Sequence, residues 1–125
     1  MEWTIDYLEE DGIVVSKVTG LMDWEQHRKW CKEAFSAARK HNAHKMLNDL
    51  RDMVPSFTIL QIDDLPKVLK EAGAKPEHRI AAVYDPSSPH SSEFAFFRDV
   101  AAITSIKVKL FSGTEEALAW LKSEK

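Results

Sequence analysis

Two short polar runs hold the side chains best suited to chemistry: Asn48-Asp49-Leu50-Arg51-Asp52 and Asp85-Pro86-Ser87-Ser88-Pro89-His90. Each follows an apolar stretch that reads as a β-strand, and open sheets of parallel strands bind ligands beyond the strands' carboxyl ends. That rule gathers Asp49, Arg51 and Asp52 beside Asp85, Ser87 and His90 as a candidate ligand-binding rim. Arg51 offers a planar, permanently charged fork able to clamp a carboxylate or phosphate. Asp85 and His90 are residue types that form an acid–base couple. The plainer alternative makes all six turn formers, caps and surface ion pairs, because loops select Asp, Ser and Pro for local reasons.

Other chemistries find less support. His41 and His44 straddle a helix end without a partnering Cys or acidic pair at ligand spacing, so no metal site is expected. His27 and Cys31 stand one helical turn apart on an apolar face, which predicts a satisfied core histidine beside a small buried thiol. Burial raises a thiol pKa and hides it from substrate, which argues against Cys31 as a nucleophile. The chain contains no GxGxxG, P-loop lysine or Gly-x-Ser-x-Gly elbow, and its four glycines are too few for a backbone phosphate cradle. No cofactor is implied.

The 125 residues suffice for one domain, 1–125, with a core of its own. Seventeen basic residues are interspersed among twenty acidic ones for a net charge of −3, so the basic stripe of a nucleic-acid binder is missing. No apolar run approaches the ~20 residues of a membrane span. The acidic, strand-like opening lacks the features of a signal peptide. A single cysteine fits a reducing compartment. A cytoplasmic protein is expected.

Hydrophobic period supplies the elements that position the rim. Thr4–Leu8 and Ile13–Val18 alternate as two strands around the turn Glu10-Asp11-Gly12, with Gly20 ending the hairpin. Asp23 and Gln26 are spaced as a capping box for a helix over Trp24–Lys40 that buries His27, Cys31, Ala34, Phe35 and Ala38. Lys45–Leu50 is a central strand whose end is marked by Arg51-Asp52. Pro55 and Ser56 read as loop, and residues 57–62 as either extended chain or a helical turn. Asp63 or Asp64 caps a helix carrying Leu65, Val68, Leu69 and Ala72, stopped by Gly73. Arg79–Tyr84 is a strand, Ser91 or Ser92 opens a helix to about Ile103, and Ile106–Leu110 is the last strand. Ser112 and Glu115 carry capping-box spacing for the final helix. The order ββαβαβαβα gives an α/β fold: a mixed, mostly parallel sheet of five strands with four helices.

That order, with RIAAVYD at Arg79–Asp85 and KVKLFSGTEEALAWL at Lys107–Leu121, resembles the SpoIIAA-like branch of the STAS superfamily, over essentially the whole chain. In the anti-sigma-antagonist members, the resemblance implies a serine directly after an Asp, between the third strand and second helix, that is phosphorylated as a switch. The matching position here follows Asn48-Asp49-Leu50 and holds Arg51-Asp52, and Ser56 is the nearest hydroxyl. Other relatives of this general shape are lipid-carrier domains with an apolar pocket.

Three functions follow in order of preference. The first is a non-enzymatic regulatory or protein-interaction module whose partner is itself, as a homodimer, or a regulatory protein. Its surface would be an apolar patch of Trp3, Trp30, Trp120, Phe96 and Ile103. The second is a carrier of a small apolar or amphipathic, lipid-like ligand, with Arg51 holding an acidic head group and Phe57, Ile59 and Ile62 lining the pocket. The third is an enzyme using Asp49, Asp85 and His90.

Overall fold

Strands β1 (Glu2–Leu8) and β2 (Ile13–Asp23) form the antiparallel hairpin, their apolar residues alternating toward one face as the period of two requires. Three further strands, β3 (Lys45–Ser56), β4 (Arg79–Val83) and β5 (Lys107–Phe111), join in parallel. The sheet order is β1-β2-β3-β4-β5. Five helices connect them: α1 (Trp24–Lys40), α2 (Ile59–Asp63), α3 (Leu65–Ala72), α4 (Ser91–Ala101) and α5 (Thr114–Lys122). The structure is a computed structural model describing residues 2–123.

The two faces of the sheet are covered differently. On one, Val14, Val18, Met46, Leu50, Ile80 and Ala82 meet the apolar sides of α1, α3 and α4. On the other, Ile13, Leu47, Ala81 and Val83 meet Ala117 and Leu121 of α5, which lies mainly over β4 with β3 and β5 beside it. The β1–β2 flank of that second face stays open and presents Thr4, Asp6 and Lys17.

Helix α1 follows the expected rules. Asp23 Oδ1 accepts from Gln26 N at 2.8 Å and Gln26 Oε1 accepts from Asp23 N at 3.0 Å, completing the capping box. Gly73 ends α3 at φ +104°, a left-handed conformation that selects glycine.

Four expectations are corrected. Gly20 does not end β2: the ladder with β3 shifts register between Lys17 and Thr19, Gly20 sits at φ +87°, and pairing resumes to Asp23. Arg51-Asp52 does not end β3, and Pro55 and Ser56 are strand rather than loop. The last β3 residue paired with β4 is Asp49, so Leu50–Ser56 has only β2 beside it, and Pro55 occupies a strand edge that tolerates a missing N–H. Residues 59–63 form a helix of their own, giving five α-helices rather than four. Finally, α5 is capped by Gly113, with no side-chain cap bond from Ser112.

Candidate functional site

The polar rim forms at the strand ends as three separate pairs. Arg51 donates from Nε to Asp49 Oδ1 at 3.0 Å and from Nη2 to Asp49 Oδ2 at 2.8 Å, a two-pronged grip between residues two apart on β3. Hydrogen bonding from Arg51 holds the Asp49 carboxyl below its ordinary range, and Asp49 in turn raises Arg51. The remaining reach of Arg51 goes to Thr114 Oγ1 at 3.5 Å, on the α5 side of the sheet. Its Nε and Nη2 donors are therefore engaged within the chain.

Asp85 Oδ1 accepts from Ser87 N at 2.9 Å and Ser87 Oγ at 2.7 Å, the local turn that Asp-Pro-Ser favours, and these bonds lower the Asp85 pKa. His90 does not couple to Asp85; its Nδ1 lies 2.9 Å from Glu93 Oε1, one turn into α4. Asp52 faces Lys17 at 3.9 Å across the ladder, and exposed Ser56 pairs in register with Asp23 at the end of β3. Among the described residues, no hydrogen bond links the Asp49–Arg51, Asp85–Ser87 and His90–Glu93 pairs to one another.

Beneath the rim, between the sheet and helices α1 and α4, lies an apolar cavity of about 80 Å³. Its walls include Phe57, Ile62, Phe94 and Phe97, with the small residues Ala34 of α1 and Ala82 of β4. His27 and Cys31 line it too. The Cys31 Sγ and His27 Nε2 are 3.5 Å apart, while Trp24 stacks on the imidazole at 4.8 Å and Phe57 and Phe97 meet its edge or face at 5.2 and 5.1 Å. Burial depresses the His27 pKa to about 3 and raises the Cys31 thiol to about 12, so both are neutral across the ordinary pH range. The Trp30 indole N–H, also in the wall, is buried with no hydrogen-bond partner. Arg51 is not among the lining residues.

The exposed apolar surface differs from the expected tryptophan patch. Trp30 is buried, Trp3 donates to Glu33 Oε1 at 3.1 Å, and Trp120 lies under the Arg79 guanidinium at 4.0 Å. Phe96 and Ile103 are exposed as expected. The most open large apolar side chains are Ile59 and Leu60 of α2, 74% and 81% accessible. Leu21 and Val54 are also exposed and are register partners on the β2–β3 extension at the same end of the sheet. Ile59 thus faces outward, whereas Phe57 and Ile62 line the cavity. The sequence carried a signal for α2: Thr58 and Gln61 form a capping box with bonds of 2.9 and 3.1 Å.

No protein-family model matches the sequence, and no curated protein matches it. Solved structures do. An uncharacterized protein from the DUF3478 family with a SpoIIAA-like fold, from Shewanella loihica PV-4, superposes with a TM-score of 0.62 at 20% identity, covering 96% of this chain and 92% of that one. The fold is SpoIIAA-like. An anti-sigma factor antagonist from Mycobacterium paratuberculosis gives a TM-score of 0.60 at 15% identity, covering 98% and 96%. The Bacillus cell fate determinant SpoIIAA in its phosphorylated form gives 0.50 at 11%, covering 96% and 99%. In this SpoIIAA-like chain the stretch after Asn48-Asp49-Leu50 is still strand, with Arg51 at the register shift and Asp52 paired with Thr19 of β2 rather than on a free loop. Among the described residues, no helix is long and apolar enough to cross a membrane.

Proposed function

We propose that this chain is a cytoplasmic regulatory module that binds a partner protein through the end of the sheet where β2, β3 and α2 meet. The observation that carries the reading is the exposure of Ile59 and Leu60 on a five-residue helix, beside the exposed pair Leu21–Val54. Helix α2 buries only Ile62 into the core, so its outer apolar residues add nothing to folding. Covering a Leu or Ile side chain is worth about 1.5–3 kcal/mol, and a few such anchors dominate the affinity of an interface. The name of the anti-sigma factor antagonist that shares the fold supports a regulatory partner rather than a substrate. The polar rim supports the same reading, because Arg51, Asp85 and His90 are each engaged by a neighbour within two or three residues.

A photo-crosslinking residue placed at Leu60 tests this, with Lys109 on β5 as the control position. One discrete crosslinked partner, either a second copy or a regulatory protein, is expected from position 60 and not from position 109. The variant Ile59→Asp/Leu60→Asp should weaken that association at least 100-fold while leaving the thermal midpoint unchanged. An identical set of crosslinks from both positions, or none from position 60, defeats the reading.

A further inference from the structure

We propose that the cavity beneath α1 and α4 is a binding site for a compact neutral molecule with an apolar body and one hydrogen-bond acceptor. Three observations define that chemistry. The walls are almost wholly carbon, with aromatic and aliphatic side chains from α1, β3, β4 and α4. Most polar wall groups are engaged: His27 with Cys31, Asn48 Oδ1 with Ser16 Oγ at 3.0 Å, and Glu93 Oε1 with His90. The indole N–H of Trp30 is fully buried without a partner among the described residues. A buried donor left unmade is costly, and an acceptor brought by a ligand satisfies it.

The same observations exclude other occupants. No lysine or arginine lines the cavity, and His27 is neutral, so a carboxylate or phosphate would enter without a counter-charge. Arg51, the cation suited to an acidic head group, grips Asp49 and contacts Thr114 on the α5 side. Size sets the rest. A cavity of roughly 150 Å³ accepts benzene, so 80 Å³ suits a molecule of about three to five heavy atoms. Ligands that small bind no tighter than on the order of tens of micromolar.

The test uses 2-butanone, a neutral acceptor of the right size, against propionate, the anion with the same number of heavy atoms. Two readouts report the cavity: the Trp30 indole resonance in a ¹H–¹⁵N spectrum, and the rate at which a thiol reagent labels Cys31, the one cysteine in the chain. Saturating 2-butanone should shift the Trp30 signal and slow Cys31 labelling in proportion to occupancy, whereas propionate at pH 7.5 does neither. Trp30→Phe keeps the apolar wall and removes the donor, and should weaken 2-butanone about five-fold, the worth of one neutral hydrogen bond. Ala82→Leu should fill the cavity and abolish binding; if it fails to fold, Trp30→Phe still decides. The proposal is overturned if 2-butanone gives no saturable change, if propionate binds as well, or if the Trp30 indole keeps a cross-peak to bound water at saturation. This site is independent of the Ile59–Leu60 surface, so either experiment can fail while the other succeeds.

Discussion

The helix-rich face of the sheet and the face served by α5 bury side chains in different ways. Beneath α1, α3 and α4 the packing admits a void, a histidine, a thiol and an unpartnered indole N–H. Beneath α5 the core is small and closed: Ile13, Ala81, Val83, Ala117 and Leu121 are all fully inaccessible. One helix crossing three short strands meets them through a few close contacts. Three helices sharing one face must also fit against one another, and bulky aromatics propped apart by small residues leave space between them. Spare volume, and with it the capacity to hold a guest, goes with the more crowded face.

The contrast can be broken first at its smallest anchor. Leu121→Ala should cost about 2–5 kcal/mol, read as a fall in the urea midpoint, because Leu121 and Ala117 are the buried anchors of α5. The next effect is acid sensitivity. His27 is neutral in the folded protein with its pKa near 3, against 6.5 when unfolded. Below pH 6.5 the unfolded chain takes up a proton that the folded chain refuses. Stability is thus complete above pH 6.5 and lost as pH falls toward 3, at about 1.4 kcal/mol per pH unit. Urea titrations at pH 7.5 and 5 should therefore differ by roughly 2 kcal/mol. His27→Phe should remove most of that difference, leaving the share of His78, whose pKa burial also lowers.

A sharper comparison uses neighbours on one strand. Ala81 and Ala82 are adjacent on β4 and face opposite sides of the sheet. Ala81→Val adds volume to the closed core and should destabilise by about 1–3 kcal/mol. Ala82→Val adds the same volume beside the cavity and should be neutral or slightly stabilising, within about 1 kcal/mol. Equal costs for the two would mean the faces are equally packed. Arg51→Ala removes a half-exposed guanidinium and should shift the thermal midpoint less than Leu121→Ala or Ala81→Val does.

Elements governed by local rules were legible in the sequence. Helix α1 runs from Trp24 to Lys40 as its cap and apolar stripe require, and the hairpin and parallel order follow from period and turn chemistry. What escaped depended on neighbours distant in the chain. Pro55 breaks a strand in general, yet here it sits where β4 has already ended. Ser112 and Glu115 have capping spacing, but Glu116 offers the same spacing to Gly113, and its Oε1 lies 3.3 Å from where a Cβ on Gly113 would stand. The frame one residue later prevails. Of the rim residues, Asp85, Ser87 and His90 follow β4 while Asp49, Arg51 and Asp52 lie within β3, and their pairing was set by immediate neighbours: Arg51 by Asp49, Ser87 by Asp85 and His90 by Glu93. Of the three residues expected to line a pocket, Phe57 and Ile62 do so and Ile59 does not, and the other walls come from α1, β3, β4 and α4, which only the tertiary packing brings together.

Strand β3 outlasts β4 by seven residues, Leu50–Ser56. In a parallel ladder successive peptide groups point alternately to the two sides, so along this tongue only every second amide finds a carbonyl on β2. Deuterium uptake there should be striped, one amide slow and the next quick, with Pro55 contributing no signal. A backbone so exposed on one margin is a standing invitation to a sixth strand, and Pro55 limits how far such an addition can run.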